Sequence, residues 1–421
     1  MRILWLCNIM LPIVSNSLNR QADSFGGWLT GLSNDLLKIS DVQLSVCFPV
    51  SSEDGLLSGE VENMKYFGFP QKKLDKHYAK TEEYFAYIIQ KVNPDVIHIF
   101  GTEFPHTLAM VNTCERLDVV HKVLISIQGL VSVYPIHYYA SLPMRIIRGY
   151  SFRDFIRRQN MERACKKMLE KGYLEIEALK KVKHITGRTS WDRACTSQIN
   201  PEAAYHFCNE TLRDEFYKHE WSLDQCEPYS ITISQASHPI KGAHHMLEAL
   251  PRILKVFPET RLYVAGYDIT KSNTMIEKAR LTAYAGYLRE LIQKFSLKDH
   301  VIFTGILDEK QMCRRYLRSN VFVLPSSIEN SPNSLGEAMI LGVPCVAADV
   351  GGVADMLKHN QEGFVYQADA PYMLAYYVCE IFKNKEKAAV FSQNARIHAS
   401  LTHNRDMNIM RIMEIYHEAG K

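Results

Sequence analysis

The feature that most constrains this chain is a pattern that occurs twice: a short apolar run, a turn, then a segment with helical period. That alternation predicts βαβ units around a parallel sheet. In the first half the runs are RILWLC (2–7), QLSVCF (43–48), DVIHIF (95–100) and VLISI (123–127), with helical stretches near 28–39, 82–92 and 106–117. In the second half they are SITIS (230–234), RLYVA (261–265), VIFTG (301–305), VFVLP (321–325) and PCVAA (344–348). Helices near 243–257, 274–296, 309–318, 334–341 and 353–358 separate them. The runs are continuously apolar, as strands covered on both faces are. The polar stretch SLDQCEPYS (222–230) reads as a linker. The chain is thus predicted to be α/β, with two doubly wound Rossmann-like domains, 1–222 and 223–403, facing across a cleft. A last amphipathic helix, about 404–421, is expected to pack back on the first domain. Open α/β sheets bind ligands beyond the carboxyl ends of their strands, so the cleft is the expected site.

Other classes fall away on simple grounds. A formal net charge of +3 over 421 residues is too near balance for whole-surface nucleic-acid binding. No apolar run approaches the ~18 residues that span a bilayer. The opening MRILWLCNIMLPIVS lacks a basic cluster and is broken by Asn8 and Pro12, so it reads as a buried first strand, not a signal peptide. The ten cysteines are scattered, with no CxxC pair and no zinc spacing, and read as reduced residues of a cytoplasmic protein. The GxGxxG fingerprint and the P-loop are absent, which argues against a dinucleotide enzyme or an NTPase.

The most informative stretch is VFVLPSSIENSPNSLGEAMILGVPCVAADVGG (321–352). A strand ends at Pro325, a polar loop follows, and a short helix opens near Ser334, with Gly342 suited to its C-terminal left-handed position. A helix N-terminus at the carboxyl end of a strand is an anion site, and a diphosphate is its natural guest. On helix physics alone, Ser334-x-x-Glu337 is a capping box and Glu329 a solvated acid.

The wider string closely resembles the E-x7-E signature of retaining GT-B glycosyltransferases of family 4 (glycosyl transferases group 1), of the bacterial surface-polysaccharide type. VFVLPSSIEN…LGEAMILGVPCVAADVGGVADML…EGFVY carries the likeness over about 45 residues, with Glu329 and Glu337 as the two acids. PIKGAHHMLEALPRIL (239–254) resembles the segment in which the family's lysine binds the donor diphosphate, and Lys241 holds that place. The family often has Gly-Arg ahead of this lysine; this chain has Ser234-Gln235-Ala236, so the second cationic contact is missing or supplied elsewhere. Phe25-Gly26-Gly27-Trp28 stands where the family sets a glycine loop against the donor, and Gly26 and Gly27 are donor-site candidates.

Two first-domain loops end strands at the expected cleft and supply acceptor-side candidates. Glu103 and His106 lie in the first, and Gln128 lies in the second, where many relatives carry a histidine. Gln128 can hydrogen-bond a hydroxyl but cannot act as a base. The segment 185–217 also resembles bacterial polysaccharide members and reads as structural and cleft-rim sequence. Residues 143–171 hold nine Lys and Arg against three acids, a net +6, with Met144, Ile146, Ile147, Tyr150, Phe152, Phe155 and Ile156 among them. Such a stretch is either a solvated helical face or a contact for an anionic membrane surface. No nucleic-acid motif accompanies it.

The resemblance implies transfer of a hexosyl group from a nucleotide-sugar, most commonly UDP-linked, to a glycan or lipid-linked hydroxyl, with retention. Lys241 and the amides around Asn333, Ser334 and Leu335 would stabilise the departing diphosphate. Glu337 would take the ribose hydroxyls, and Glu329 would orient the donor sugar. The leaving phosphate would take the acceptor's proton. No Asp-x-Asp motif is present, so the site is expected to need no metal and no cofactor. The expected location is cytoplasmic, peripheral on the inner membrane face. The rival readings are a nucleotide-sugar 2-epimerase on the same architecture and a nucleotide-sugar-binding scaffold without catalysis.

Overall fold

The computed structural model describes residues 1–20, 26–71 and 79–421. Its contacts divide the chain into two units: Met1–Val133, Leu169–Leu212 and His403–Lys421 in the first, and Tyr134–Met168 and Arg213–Thr402 in the second.

The first unit is built on an eight-stranded sheet. Its strands are β1 (Arg2–Leu6), β2 (Gln43–Ser51), β3 (Leu57–Val61), β4 (Met64–Gln71), β5 (Val96–Phe100), β6 (Val123–Ser126), β7 (His184–Gly187) and β8 (Ala204–Phe207). Their order is β3-β4-β2-β1-β5-β6-β7-β8. All pairings are parallel except β3 with β4, a hairpin at the edge. Its two loop residues, Glu62 and Asn63, both have positive φ (45° and 63°), as a tight two-residue hairpin turn needs. Alternate residues of β1 feed two cores: Leu4 and Leu6 pack with Ile97 and Ile99, Ile3 and Trp5 with Val46 and Phe48. That is burial on both faces, and it explains why these runs carry no alternation.

The helix Arg405–Ala419 at the end of the chain joins the second of these cores through Ile412, Ile415 and Tyr416. Tyr416 is fully buried, and its hydroxyl accepts from Trp5 Nε1 at 3.0 Å and lies 2.7 Å from His98 Nδ1. The phenol thus has partners for its polar tip inside the core.

The second unit holds a six-stranded, all-parallel sheet of β9 (Ser230–Ile233), β10 (Arg261–Val264), β11 (Val301–Phe303), β12 (Val321–Leu324), β13 (Cys345–Asp349) and β14 (Gly363–Gln367). Its order, β11-β10-β9-β12-β13-β14, is the 3-2-1-4-5-6 arrangement of doubly wound folds. Ile231, Ile233, Val321, Val323 and Val346 form its centre. The contacts also assign 134–168 to this unit, where the sequence placed everything to 222 in the first. The reason is packing. Leu142, Ile146, Ile147 and Met161 enter the second core, and Arg145 Nη2 bonds Glu290 Oε1 at 2.5 Å.

The apolar runs of the sequence mark none of β3, β4, β7, β8 and β14, and two helices, Met275–Arg280 and Ala283–Lys294, stand where its pattern predicts one. Leu281 is extended between them, and Thr282 caps the second through the Ala285 amide. All ten cysteines are free thiols.

Candidate functional site

The switch point of the second sheet lies between β9 and β12, where strand order reverses and the following connections part. After β9 the chain passes through a 3-10 turn, Pro239–Lys241, and enters the helix Ala243–Leu254 through Gly242. Gly242 is left-handed, with φ of 68°. A Cβ on it would stand 1.7 Å from the carbonyl oxygen of Pro325, in the loop after β12. Ser327 N–H donates to the Ile240 carbonyl at 2.8 Å. The two loops are therefore stitched backbone to backbone, and glycine is what permits it.

This stitching brings two sequence-predicted residues together. Lys241 Nζ donates to Glu329 Oε1 at 2.6 Å, and Ser326 Oγ donates to the same oxygen at 2.7 Å. The Glu329 side chain is 7% exposed and that of Lys241 26%, so the acid is buried and the ammonium reaches solvent. The Glu329 backbone is held from a third side. Gly352 N–H donates to its carbonyl at 3.1 Å, and a Cβ on Gly351 would lie 1.9 Å from that same oxygen. Gly351 and Gly352 thus serve the placement of Glu329, a role that needs the fold to be seen.

The helix Asn333–Leu341 begins four residues after Glu329 and ends at Gly342, with φ of 85°. Its N-cap is Pro332, which offers no side-chain bond. The capping box read from Ser334 and Glu337 does not form, because the helix starts ahead of Ser334. Asn333 and Ser334 are half-buried in its first turn. The Leu335 amide donates to the Pro332 carbonyl at 2.9 Å, so it is less available to an anion than an open first-turn amide.

Glu337 is buried, and its carboxylate is held by Arg213, a residue with no motif around it. Arg213 Nε donates to Oε1 at 2.6 Å and Nη2 to Oε2 at 2.8 Å. Burial pushes the Glu337 carboxyl above its usual range; the Arg213 bonds and charge oppose that rise without cancelling it, and Glu309 adds to it.

In the first unit the switch point lies between β1 and β5. Asn8 Nδ2 donates to the Phe100 carbonyl at 3.1 Å, and its Oδ1 lies 2.7 Å from His106 Nε2. His106 is buried, and burial with nearby Lys171 lowers it to about 3, so it is neutral at physiological pH. Glu103, two residues past Gly101, is raised to about 7 by burial, with Glu175 adding to the rise and Lys171 opposing it. Gln128 belongs to a different group: its Nε2 donates to Glu210 Oε1 at 2.7 Å, and Glu210 pairs with the buried Arg188. That ion pair lines a small cavity with Trp28, Phe100, Ile127 and Thr211. Gly26 is the N-cap of the helix Gly27–Leu36, with φ of 77°; Phe25 lies outside the described residues. Among the described residues no group of three or more His, Cys, Asp or Glu side chains converges as metal ligands.

Comparison with known proteins bears on the fold and on the second half of the chain. Sucrose-phosphate synthase from Thermosynechococcus elongatus superposes with a TM-score of 0.71 at 16% identity, covering 99% of this chain and 98% of that one. Anabaena HepE, in a structure with UDP-glucose, superposes at 0.68 and 14% identity, covering 99% and 100%. Among curated relatives, the sulfoquinovosyl transferase SQD2 of Arabidopsis thaliana is 30% identical over 122 residues, 29% of this chain and 20% of its own length. Matches to the first curated relatives span 20–39% of their lengths. The chain has the GT-B glycosyltransferase fold, and its residues 214–398 match the family of glycosyl transferases group 1.

Proposed function

We propose that the protein is a retaining glycosyltransferase of family 4. It moves a sugar from a nucleotide-sugar, with UDP as the nucleotide, to a hydroxyl of a glycan or lipid-linked acceptor in surface-polysaccharide synthesis, without metal or cofactor. The observation that carries the reading is the Lys241–Glu329 pair, set at the switch point, with the helix Asn333–Leu341 beginning four residues after Glu329. The diphosphate sits between the ammonium and the first-turn amides, where charge building on the leaving group is met by fixed donors. Lys241 has three donor hydrogens, so it can face phosphate and Glu329 together. The Lys241 and Ser326 bonds to Glu329 both land on Oε1, which leaves Oε2 to accept from the donor sugar's hydroxyls. Glu337 accepts from the ribose, and the departing phosphate takes the acceptor's proton. The HepE complexes with UDP and UDP-glucose support a uridine donor.

A thermal-shift screen against UDP, GDP, ADP and their common sugar conjugates tests this. A ligand present at a hundred times its Kd stabilises the fold by about 2.7 kcal/mol. One nucleotide should raise Tm, and Glu337→Ala should abolish the shift. No shift with any nucleotide overturns the donor-site reading. A shift with no sugar transfer to any acceptor favours the scaffold, and interconversion of the donor sugar at C2 favours the epimerase.

We also propose a peripheral contact with an anionic membrane, on the cytoplasmic face of the inner membrane, through 143–171. Ile146 and Ile147 are core residues, but the helix Phe152–Ile156 turns its apolar face outward. Phe152, Phe155 and Ile156 are 64%, 73% and 63% exposed, while Asp154 is buried. Asp154 closes a capping box with Ser151 and accepts from Ala283 N–H at 2.8 Å, which holds the helix in this inverted pose. Exposed Arg157, Arg158, Arg163, Lys166 and Lys167 follow it, matching an anionic lipid surface. Among the described residues no helix is long and apolar enough to cross a membrane. Changing Phe152, Phe155 and Ile156 together to serine should reduce co-sedimentation with phosphatidylglycerol-containing vesicles by about tenfold or more. Equal binding by the variant, or none by the wild type, contradicts the contact.

A further inference from the structure

We propose that Arg213 is the positioning residue for Glu337, fixing its carboxylate in the orientation that receives the ribose hydroxyls of the donor nucleotide. The proposal rests on the donor-site reading above.

The geometry is a side-on fork, with both carboxylate oxygens engaged at 2.6 and 2.8 Å by two different guanidinium nitrogens. A fork of this kind sets the plane of the carboxylate as well as its distance, which a lysine ammonium cannot do. Each oxygen keeps acceptor capacity on its other side. Arg213 is itself pinned. Its guanidinium lies 4.8 Å over the ring of Phe216, which is fully buried and packs edge-on against Tyr316 at 6.0 Å. The 3-10 turn Asp214–Tyr217 that follows is tied to the helix Glu309–Leu317, where Glu309 Oε1 accepts from the Glu215 amide at 2.7 Å.

The charged and titratable groups around Glu337 are few. Arg213 comes from the segment ahead of that turn, and Glu309, Cys313 and Tyr316 come from the helix Glu309–Leu317. Burial raises both Cys313 and Tyr316, so both are neutral near pH 7. From the helix Lys385–Thr402, packed on the other side, Arg396 spends its Nη1 on the carbonyls of Ile340 and His219. Arg213 is therefore the cation that opposes the burial of Glu337, and Glu309 is a like charge that adds to it.

The sign of the pH effect follows. Without Arg213, burial and Glu309 keep the carboxyl protonated to higher pH, and a protonated carboxyl loses acceptor strength towards ribose. The test is calorimetric titration of UDP, GDP and ADP into wild type, Arg213→Ala, Arg213→Lys, Glu337→Gln and the double variant Arg213→Ala/Glu337→Gln, from pH 6 to pH 9. Arg213→Ala should lose about tenfold or more in affinity at the acid end. That loss should shrink as pH rises and Glu337 ionises. Arg213→Lys, which keeps the charge without the fork, should show a smaller and flatter loss. The double variant should recover the melting temperature lost by Arg213→Ala, because no unpaired buried acid remains, without recovering affinity.

A loss of constant size across the pH range, or none, in Arg213→Ala overturns the positioning role. Should that variant fail to fold, wild-type affinity and pH profile in Arg213→Lys overturn it. If Glu337→Gln binds like wild type, or the wild type binds none of the three nucleotides, the ribose reading falls and the role of Arg213 with it. If Glu337→Gln weakens binding while Arg213→Ala is flat, only the positioning role falls.

Discussion

Replacing Lys241 with alanine should lower the rate of sugar transfer by roughly 10²–10³-fold, the usual cost of losing one preorganised charge-stabilising donor. The loss should appear in kcat more than in KM. On the proposed function the ammonium would meet charge that builds on the diphosphate as the sugar bond breaks, so its contribution would be larger in the transition state than in the bound donor. Glu329→Gln should cost less, about ten- to a hundredfold. The amide keeps the shape and can still accept from a hydroxyl or an ammonium, but it lacks the charge that pairs with Lys241 at 2.6 Å. Lys241→Ala also leaves the Glu329 carboxylate unpaired. Because a quarter of the lysine side chain is exposed, solvent takes up much of that loss, and stability should fall by only about 1 kcal/mol. Steady-state kinetics with detection of the released nucleoside diphosphate separates these effects. A variant with unchanged kcat and a raised KM would make Lys241 a ground-state binder only.

Gly242→Ala should have the largest effect on stability, about 3 kcal/mol or more. The left-handed backbone at φ of 68° costs about 1–2 kcal/mol for any residue with a Cβ. The added methyl would also sit 1.7 Å from the Pro325 carbonyl oxygen, which must retreat. Retreat pulls apart the Ile240–Ser327 bond and, with it, the Lys241–Glu329 pair. Gly305 provides the control. It too is left-handed, with φ of 76°, but nothing lies within 4 Å of its Cβ position. Gly305→Ala should therefore pay only the backbone term. Denaturant titration of both variants measures the difference, and equal losses would show that the close approach to Pro325 carries no energy.

What the sequence discloses of this molecule follows the range of the interactions. The buried parallel strands are legible because burial on both faces makes their runs apolar within a few residues, as in RILWL and VFVL. The edge strand β3, LSGEV, is half-exposed throughout and carries no such run. Glu329 and Lys241 are legible from their strings, but not the reason they meet, which is a glycine pressed against a carbonyl 83 residues along the chain. Arg213 lies in the segment 185–217, read only as structural and cleft-rim sequence, and nothing there points to its partner 124 residues away. In the helix Phe152–Ile156 polarity does not decide the buried side. Phe152, Phe155 and Ile156 share one exposed face, and the buried residue is Asp154, whose carboxylate accepts from the N-termini of two helices. The capping box at Ser334 fails for a related reason. Helix start and carboxylate partner are both decided by the packing around Pro332 and Arg213.

On the proposed function, the switch point of the second sheet holds the diphosphate of a nucleotide-sugar. The most direct measurement is a crystal structure of the protein soaked with UDP and, separately, with UDP-glucose. The account predicts diphosphate density between the Lys241 ammonium and the first turn of the helix Asn333–Leu341, with the ribose at Glu337 and the sugar at Glu329. Nucleotide bound elsewhere, with Lys241 still closed on Glu329 and Glu337 facing no ribose, would contradict it.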